Sequence, residues 1–380
     1  MENPLKKSLS FVTGFFKKSN ASVLGIDIGS SAIKLVQLAK KEGRAVLETY
    51  GKIELGPYAK LDVGRAVRLG DDKLLEAIAD ILRESKSTTD KAGIAIPLAS
   101  SLITVIEVPA VAEEELASII PIEAKKYIPV PSSEVMLDWL PIPRNKPPQT
   151  SHADPSLKDE PQHGETMEVL LVAIHNETLT RFRDLAKNAL LESSFFEVET
   201  FADIRASVDN DMFPVMVFDL GAASTKINIV ENGLVRMSHV INRGSQDITL
   251  AVARSLNITE KEAETMKRAI GKDNPAQQDL ALRQIINLTL GHIFSETNQV
   301  LSNFNIKYNK KVSKIILTGG GSVLRGFETM ARDALDAPVV LSNPFAKVVT
   351  PAFFEGVLKE VGPSLSVALG VALRFLQEST

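Results

Sequence analysis

The chain contains no cysteine, which excludes disulfides and thiolate metal sites and fits a reducing compartment. It also lacks a strong charge of either sign. A formal charge of −4 gives no electrostatic case for nucleic acid. Long apolar runs are missing, and none approaches the ~20 residues a helix needs to cross a bilayer. Residues 1–20 are too broken for a signal-peptide core and carry no convincing cleavage site. Nor does any residue stand out as a catalytic base. With 380 residues, the chain is long enough for two α/β domains with substantial cores.

What is present centres on residues 23–38. They read as a strand, a tight Gly29-Ser30-Ser31 turn and a second alternating strand, with Asp27 closing the first and Lys34 inside the second. A Walker-type loop would run from the turn into a helix, whereas β-branched, alternating residues after this turn make an antiparallel hairpin. Such a tip offers backbone N–H groups to phosphate, and Gly29 removes a Cβ from the approach. Asp27 suits a hydrated Mg²⁺, and Lys34 neutralises phosphate charge.

The pattern returns in residues 215–230, with Asp219, Gly221, Ala222, Ser224 and Thr225 around the turn. Two phosphate hairpins imply an internal duplication with a nucleotide between the halves. A third element, residues 314–327, runs from a buried strand into Gly319-Gly320-Gly321-Ser322 and then Leu324, a surface on which a base or ribose can lie. Each piece alone also reads as a glycine turn at a strand end; the ordered set favours a nucleotide.

This order of motifs resembles the actin-like ATPase superfamily, which includes actin, DnaK chaperones, sugar kinases and FtsA. The resemblance implies an α/β fold of two ribonuclease-H-like halves around a nucleotide cleft, with an inserted α+β subdomain in the first half. On this reading residues 21–91 and 195–212 form the first half, and 92–194 the insertion, with three strands, two helices (one over 112–128) and a mobile loop at 144–166. Residues 213–362 form the second half, with a helical subdomain over 246–311 and a kink at Gly291, and 363–380 a crossover helix returning to the first half. The runs Val105-Ile-Glu-Val-Pro109, Ile122-Glu-Ala-Lys-Lys-Tyr-Ile-Pro-Val-Pro131 and Val135-Met-Leu-Asp-Trp139 resemble the insertion of the PilM family of type IV pilus assembly proteins.

That resemblance implies ATP and Mg²⁺ as cofactors, with Asp27 and Asp219 reaching the metal through water and Ser30, Ser31 and Lys34 on phosphate. Glu264 and Lys267, at i and i+3 on one helix, would border ribose and adenine; the alternative is a surface ion pair of little worth. Ala223 stands where the family often has Ser or Thr, so Ser224 is left to supply the hydroxyl. Asp203 lies near the expected crossover, but an acidic residue early in a helix is ordinary. Turnover is therefore expected to be slow or absent. The implied partners are the cytoplasmic N-terminal peptide of a PilN-like membrane protein and, indirectly, PilO, with self-association open and nucleic acid not expected. The chain would then sit in the cytoplasm, peripheral at the inner face of the membrane. Residues 1–20 read either as a weak amphipathic contact, through Leu5, Leu9, Val12 and Phe16 among four lysines, or as a leader without fixed structure. Competing functions are a small-molecule kinase, which would need an acceptor pocket with a base, and an FtsA-like division filament.

Overall fold

Alternating apolar residues on either side of short turns build the first sheet. Strands β1 (Ser22–Ile28), β2 (Ala32–Lys41) and β3 (Arg44–Glu54) form an antiparallel meander. Helix α1 (Asp71–Glu84) buries Leu74, Ala77, Ile78 and Ile81, an apolar stripe of 3.6-residue period. Strand β4 (Lys91–Ile96) then lies parallel to β1. The structure, a computed structural model, describes residues 22–143, 165–209, 211–270 and 276–378. Residues 1–20 and nearly all of the 144–166 loop lie outside the described residues.

After β4 the chain enters a separate three-stranded sheet. Strand β5 (Ser101–Pro109), helix α2 (Glu113–Glu123), β6 (Val135–Pro141) and β7 (Thr166–His175) give the order β5-β7-β6. Helix α3 (Asn176–Asn188) and strand β8 (Glu192–Val198) return to complete a first sheet of order β3-β2-β1-β4-β8. Helix α4 (Glu199–Ser207) crosses to the second half. There β9 (Val215–Leu220), β10 (Thr225–Glu231) and β11 (Leu234–Ile241) repeat the meander. Helices α5 (Ser245–Leu256), α6 (Glu260–Ala269) and α7 (Ala276–Tyr308) follow, then β12 (Lys314–Thr318), α8 (Phe327–Ala334) and β13 (Val339–Leu341). The second sheet has the order β11-β10-β9-β12-β13, so a meander followed by two parallel strands occurs twice. The last helix, α9 (Glu355–Glu378), packs back on the first half.

Several boundaries differ from the sequence reading. The separate module is narrower than residues 92–194, because β4, α3 and β8 belong to the first sheet and its core. Leu179, Phe182 and Leu185 of α3 pack there with Leu74, Ile78 and Ile94. Strand β7 is shared by period-two alternation: Leu170, Val172 and Ile174 enter that core, while Val169, Leu171 and Ala173 face Ile106, Leu116 and Ile120 in the module. Helix α2 stops at Glu123 instead of 128, after an internal Pro121 that removes one ladder donor, and a single 3-10 turn carries on. Helix α7 passes unbroken through Gly291, the expected kink. Helix α9 begins before Pro363, which lies inside it; the Pro363 carbonyl accepts the Gly319 N–H at 2.8 Å.

Among the described residues one helical span, residues 352–377, is long and apolar enough to cross a membrane, contrary to the sequence reading. Burial in the first core accounts for its apolarity. Leu365, Ala368, Leu369, Val371, Ala372 and Phe375 pack against Val23, Val36, Leu38, Ala95 and Phe195. Two contacts there demand glycine. A Cβ on Gly370 would stand 1.8 Å from the Ala202 carbonyl oxygen of α4, and one on Gly25 would stand 1.9 Å from that of Ala368. The crossing of α4 and α9 is thus a near contact of backbones.

Candidate functional site

The two meanders place equivalent side chains at the turn of each hairpin. Asp27 lies opposite Lys34 on the penultimate rung of β1–β2, and Asp219 lies opposite Lys226 on the penultimate rung of β9–β10. The Lys34 ammonium donates to Asp27 at 2.7 Å. That of Lys226 donates to Asp219 at 3.0 Å and to Glu199, the first residue of α4, at 2.7 Å. Both pairs line one cleft of about 310 Å³ between the halves.

Charge balance in the cleft follows from burial and neighbours. Burial disfavours the Lys34 ammonium, yet the adjacent Asp27 outweighs it and holds the pKa above the ordinary lysine value. Lys226 is raised in the same way, burial being overcome by Asp219 and Glu199. Glu199 is pushed up, first by burial and then by Asp27 and Asp219, with Lys226 offsetting part of this. Its two oxygens are already engaged, Oε1 by the Leu98 N–H at 2.7 Å and Oε2 by Lys226.

Most residues singled out from the sequence meet here. Gly29, Ser30, Ser31, Gly221, Ala222, Ser224, Gly319, Gly320, Gly321 and Leu324 all line the cleft. The N–H groups of Gly29 and Gly221 close their own turns onto Ala32 and Ser224 carbonyls, so ligand donors must come from later turn residues. Two residues do not reach the cleft. Thr225 is fully buried and its hydroxyl donates to the Arg243 carbonyl, while the buried Ser322 hydroxyl donates to the Gly319 carbonyl. Gly319 has φ +85, and a Cβ there would stand 2.1 Å from Asp219 Oδ1, so the glycine turn is seated directly on the second hairpin.

Glu264 and Lys267 do share one face of α6, but not as an exposed surface pair. Both are buried, 2.6 Å apart, with Thr249 donating to Glu264 and accepting from Lys267. Burial lowers the Lys267 pKa despite Glu264. Burial works against the Glu264 carboxylate, but Lys267, Thr249 and Arg268 together pull its pKa down. The pair lines the cleft beside Ile248, Val323 and Leu324, an apolar wall of which Val323 is 38% exposed.

Sequence reasoning missed Lys226 and Glu199. The signal for Lys226 was present, since Asp and Lys are seven residues apart in both hairpins. Glu199 carries no motif; only the geometry of the crossover helix shows it. The crossover carboxylate facing the cleft is therefore Glu199, and Asp203, one turn later, is buried behind it with Thr318 and Ser207 donating to it.

Comparison with known proteins follows the same architecture. Residues 25–376 match the family described as type IV pilus assembly protein PilM. The cell division protein FtsA of Bacillus subtilis (strain 168) is 25% identical over 174 residues, 40% of this chain and 39% of that protein. FtsA of Streptococcus pneumoniae is 24% identical over 177 residues, 39% of this chain and 38% of that protein. The matched stretch thus spans about two-fifths of these curated relatives. Among solved structures, a PilM-PilN type IV pilus biogenesis complex aligns with TM-score 0.76 and 26% identity, covering 94% of this chain and 99% of that one. Ethanolamine utilization protein EutJ from Carboxydothermus hydrogenoformans aligns with TM-score 0.52 and 17% identity over 96% and 93% of the chains, a likeness of fold alone.

Proposed function

The chain belongs to the PilM family of type IV pilus assembly proteins, an actin-like α/β fold related to FtsA, and from that premise we propose that it is an ATP-binding scaffold of pilus assembly. The observation that carries the reading is the facing pair of carboxylate–lysine hairpins, Asp27–Lys34 and Asp219–Lys226, across one cleft. Two ammonium groups held charged by buried carboxylates suit a polyphosphate. Among the described residues no three His, Cys, Asp or Glu side chains converge as a metal cage. Asp27 and Asp219 therefore suit a cation that keeps its water and leans on phosphate, as Mg²⁺ does. Mg-ATP would supply the anion and the hydrated cation. Lys34 and Lys226 neutralise, the glycine turn admits the base, and Ile248, Val323 and Leu324 cover its face. Because both oxygens of Glu199 are committed to other donors, that carboxylate is poorly free to orient water, which fits slow turnover. Calorimetry of Lys34→Ala and Lys226→Ala against the wild-type chain tests the site; unchanged ATP affinity in both variants would defeat it.

The inserted module supports the second half of the reading. Its sheet ends in edge strands β5 and β6, and on and after α2 it exposes Ile122 and Tyr127 at 63% and 43%. Such a surface suits a short extended peptide. The neighbouring solved structure is a complex with PilN, so we take the partner to be the cytoplasmic N-terminal peptide of a PilN-like membrane protein, with PilO contacted indirectly. The chain then works at the cytoplasmic face of the membrane. Titrating the whole chain with that peptide tests this: Ile122→Ser should weaken peptide binding while ATP affinity is unchanged.

A further inference from the structure

One loop of the first half crosses the mouth of the cleft, and we infer that Gln246 is a positioning residue that ties the two phosphate turns together across it. The stretch is residues 55–70, between β3 and α1. Its Leu55 N–H donates to the Ser31 carbonyl at 2.8 Å and its Val67 N–H to that of Ser30 at 2.9 Å. The stretch is thus fastened to the first turn at both ends. The adjacent Ala66 N–H goes the other way, as successive amides do in extended chain, and meets Gln246 Oε1 at 2.5 Å. Gln246 stands in the first turn of α5, and its own N–H donates to the Ala222 carbonyl in the second phosphate turn at 3.0 Å. Beside it, the Ser245 N–H donates to the Gly221 carbonyl at 2.9 Å.

A path from Ser30 through Val67, Ala66 and Gln246 to Ala222 therefore joins one turn to the other. Every link but one is backbone, and the exception is the Gln246 amide. Other contacts hold the stretch near α6 without reaching either turn. Arg65 pairs with Glu260, and Glu54, the β3 residue just before the stretch, with Arg268 at 3.6 Å, both partly exposed at the rim and individually worth little. Gly64, at φ +87, lies against Glu264, where a Cβ would stand 2.8 Å from Oε1, so the stretch touches α6 directly. A neutral acceptor of this length closes the gap without placing another negative charge beside two phosphate turns.

This inference rests on the cleft being the nucleotide site. The tie makes one site of two half-sites, and a nucleotide can leave only when it opens. Loss of the Gln246 acceptor should then speed ATP release by about five- to tenfold, the weight of one hydrogen bond.

The absence of cysteine allows a direct reading of the mouth. Spin labels at Arg68→Cys and Lys261→Cys, both exposed positions on opposite sides of it, report its width with no nucleotide present. The wild-type background should give one narrow distance. Gln246→Leu, and independently Ala66→Pro, which deletes the donor, should broaden and lengthen it. Gln246→Glu keeps an acceptor and should restore the narrow distance. ATP release, followed by stopped flow, should be faster in Gln246→Leu while its urea midpoint stays that of the wild type. Identical distances and release rates in Gln246→Leu and the wild type would overturn the tie. If the wild-type chain does not bind ATP, the functional reading fails, and the label distances still decide whether the tie exists.

Discussion

Lys226 neutralises two carboxylates at once, so its removal is felt beyond ligand binding. In Lys226→Ala, Asp219 and Glu199 would remain largely buried without a cation, a loss of about 3 kcal/mol that urea denaturation should register. Lys34→Ala orphans only Asp27 and should lose less. Asp203 sets a pH dependence of known sign. Burial first, and Asp219 second, push its carboxyl up to about 7 from 3.8. A folded-state pKa above the unfolded one means that folding favours the protonated form. This contribution is full below about pH 4 and lost as pH rises through 7. Urea midpoints from pH 4 to 8 should thus fall relative to Asp203→Asn, and parallel curves would refute the assignment. Leu190 holds φ +57 at the end of α3 with 85% of its surface exposed. Glycine is at home there, and Leu190→Gly should stabilise by about 1 kcal/mol, seen as a higher urea midpoint. At this scale the sequence carried Asp27, Asp219 and the glycines, because turn chemistry is local. Glu199 and Gln246 were invisible, since each acts through a partner far along the chain, 27 residues away for Lys226 and 180 for Ala66.

Elements were legible where their periodicity was their own. Both hairpins and the three strands of the module could be read from the sequence. The outer limits of the module could not, because β7 feeds two cores with alternate residues and α3 buries its stripe in the first. The start of α9 was missed because a proline usually opens a helix, whereas the carbonyl of Pro363 is turned to Gly319 inside one. Close crossing of α4 and α9 gives a sharp prediction. Gly370→Ala would drive a Cβ into the Ala202 carbonyl at 1.8 Å, displacing backbone that cannot yield; a loss of about 3 kcal/mol is expected by chemical denaturation. The opposite holds between β6 and β7. The Ile142 N–H donates to the Glu168 carbonyl at 2.9 Å, so the chain leaves and re-enters side by side. Replacing residues 144–164 by a short Gly-Ser linker should leave the urea midpoint and ATP affinity near wild-type values.

At the scale of the molecule, the duplicated sheet order makes the halves look equal, but their completion in time is not. The second half can assemble β9 to β13 from residues 215–341, one continuous stretch. The first half cannot. Its sheet waits for β8, beyond the whole inserted module, and one face of that sheet waits for α9 at the far end of the chain. During synthesis, therefore, the N-terminal half emerges first and is finished last. Until residues 355–378 leave the ribosome, Val23, Val36, Leu38 and Phe195 lack most of their partner layer, a period in which apolar strands are open to aggregation. A chain ended after Phe354 retains both hairpins and the glycine turn, yet it should be insoluble, and adding residues 355–378 in trans as a peptide should rescue part of it.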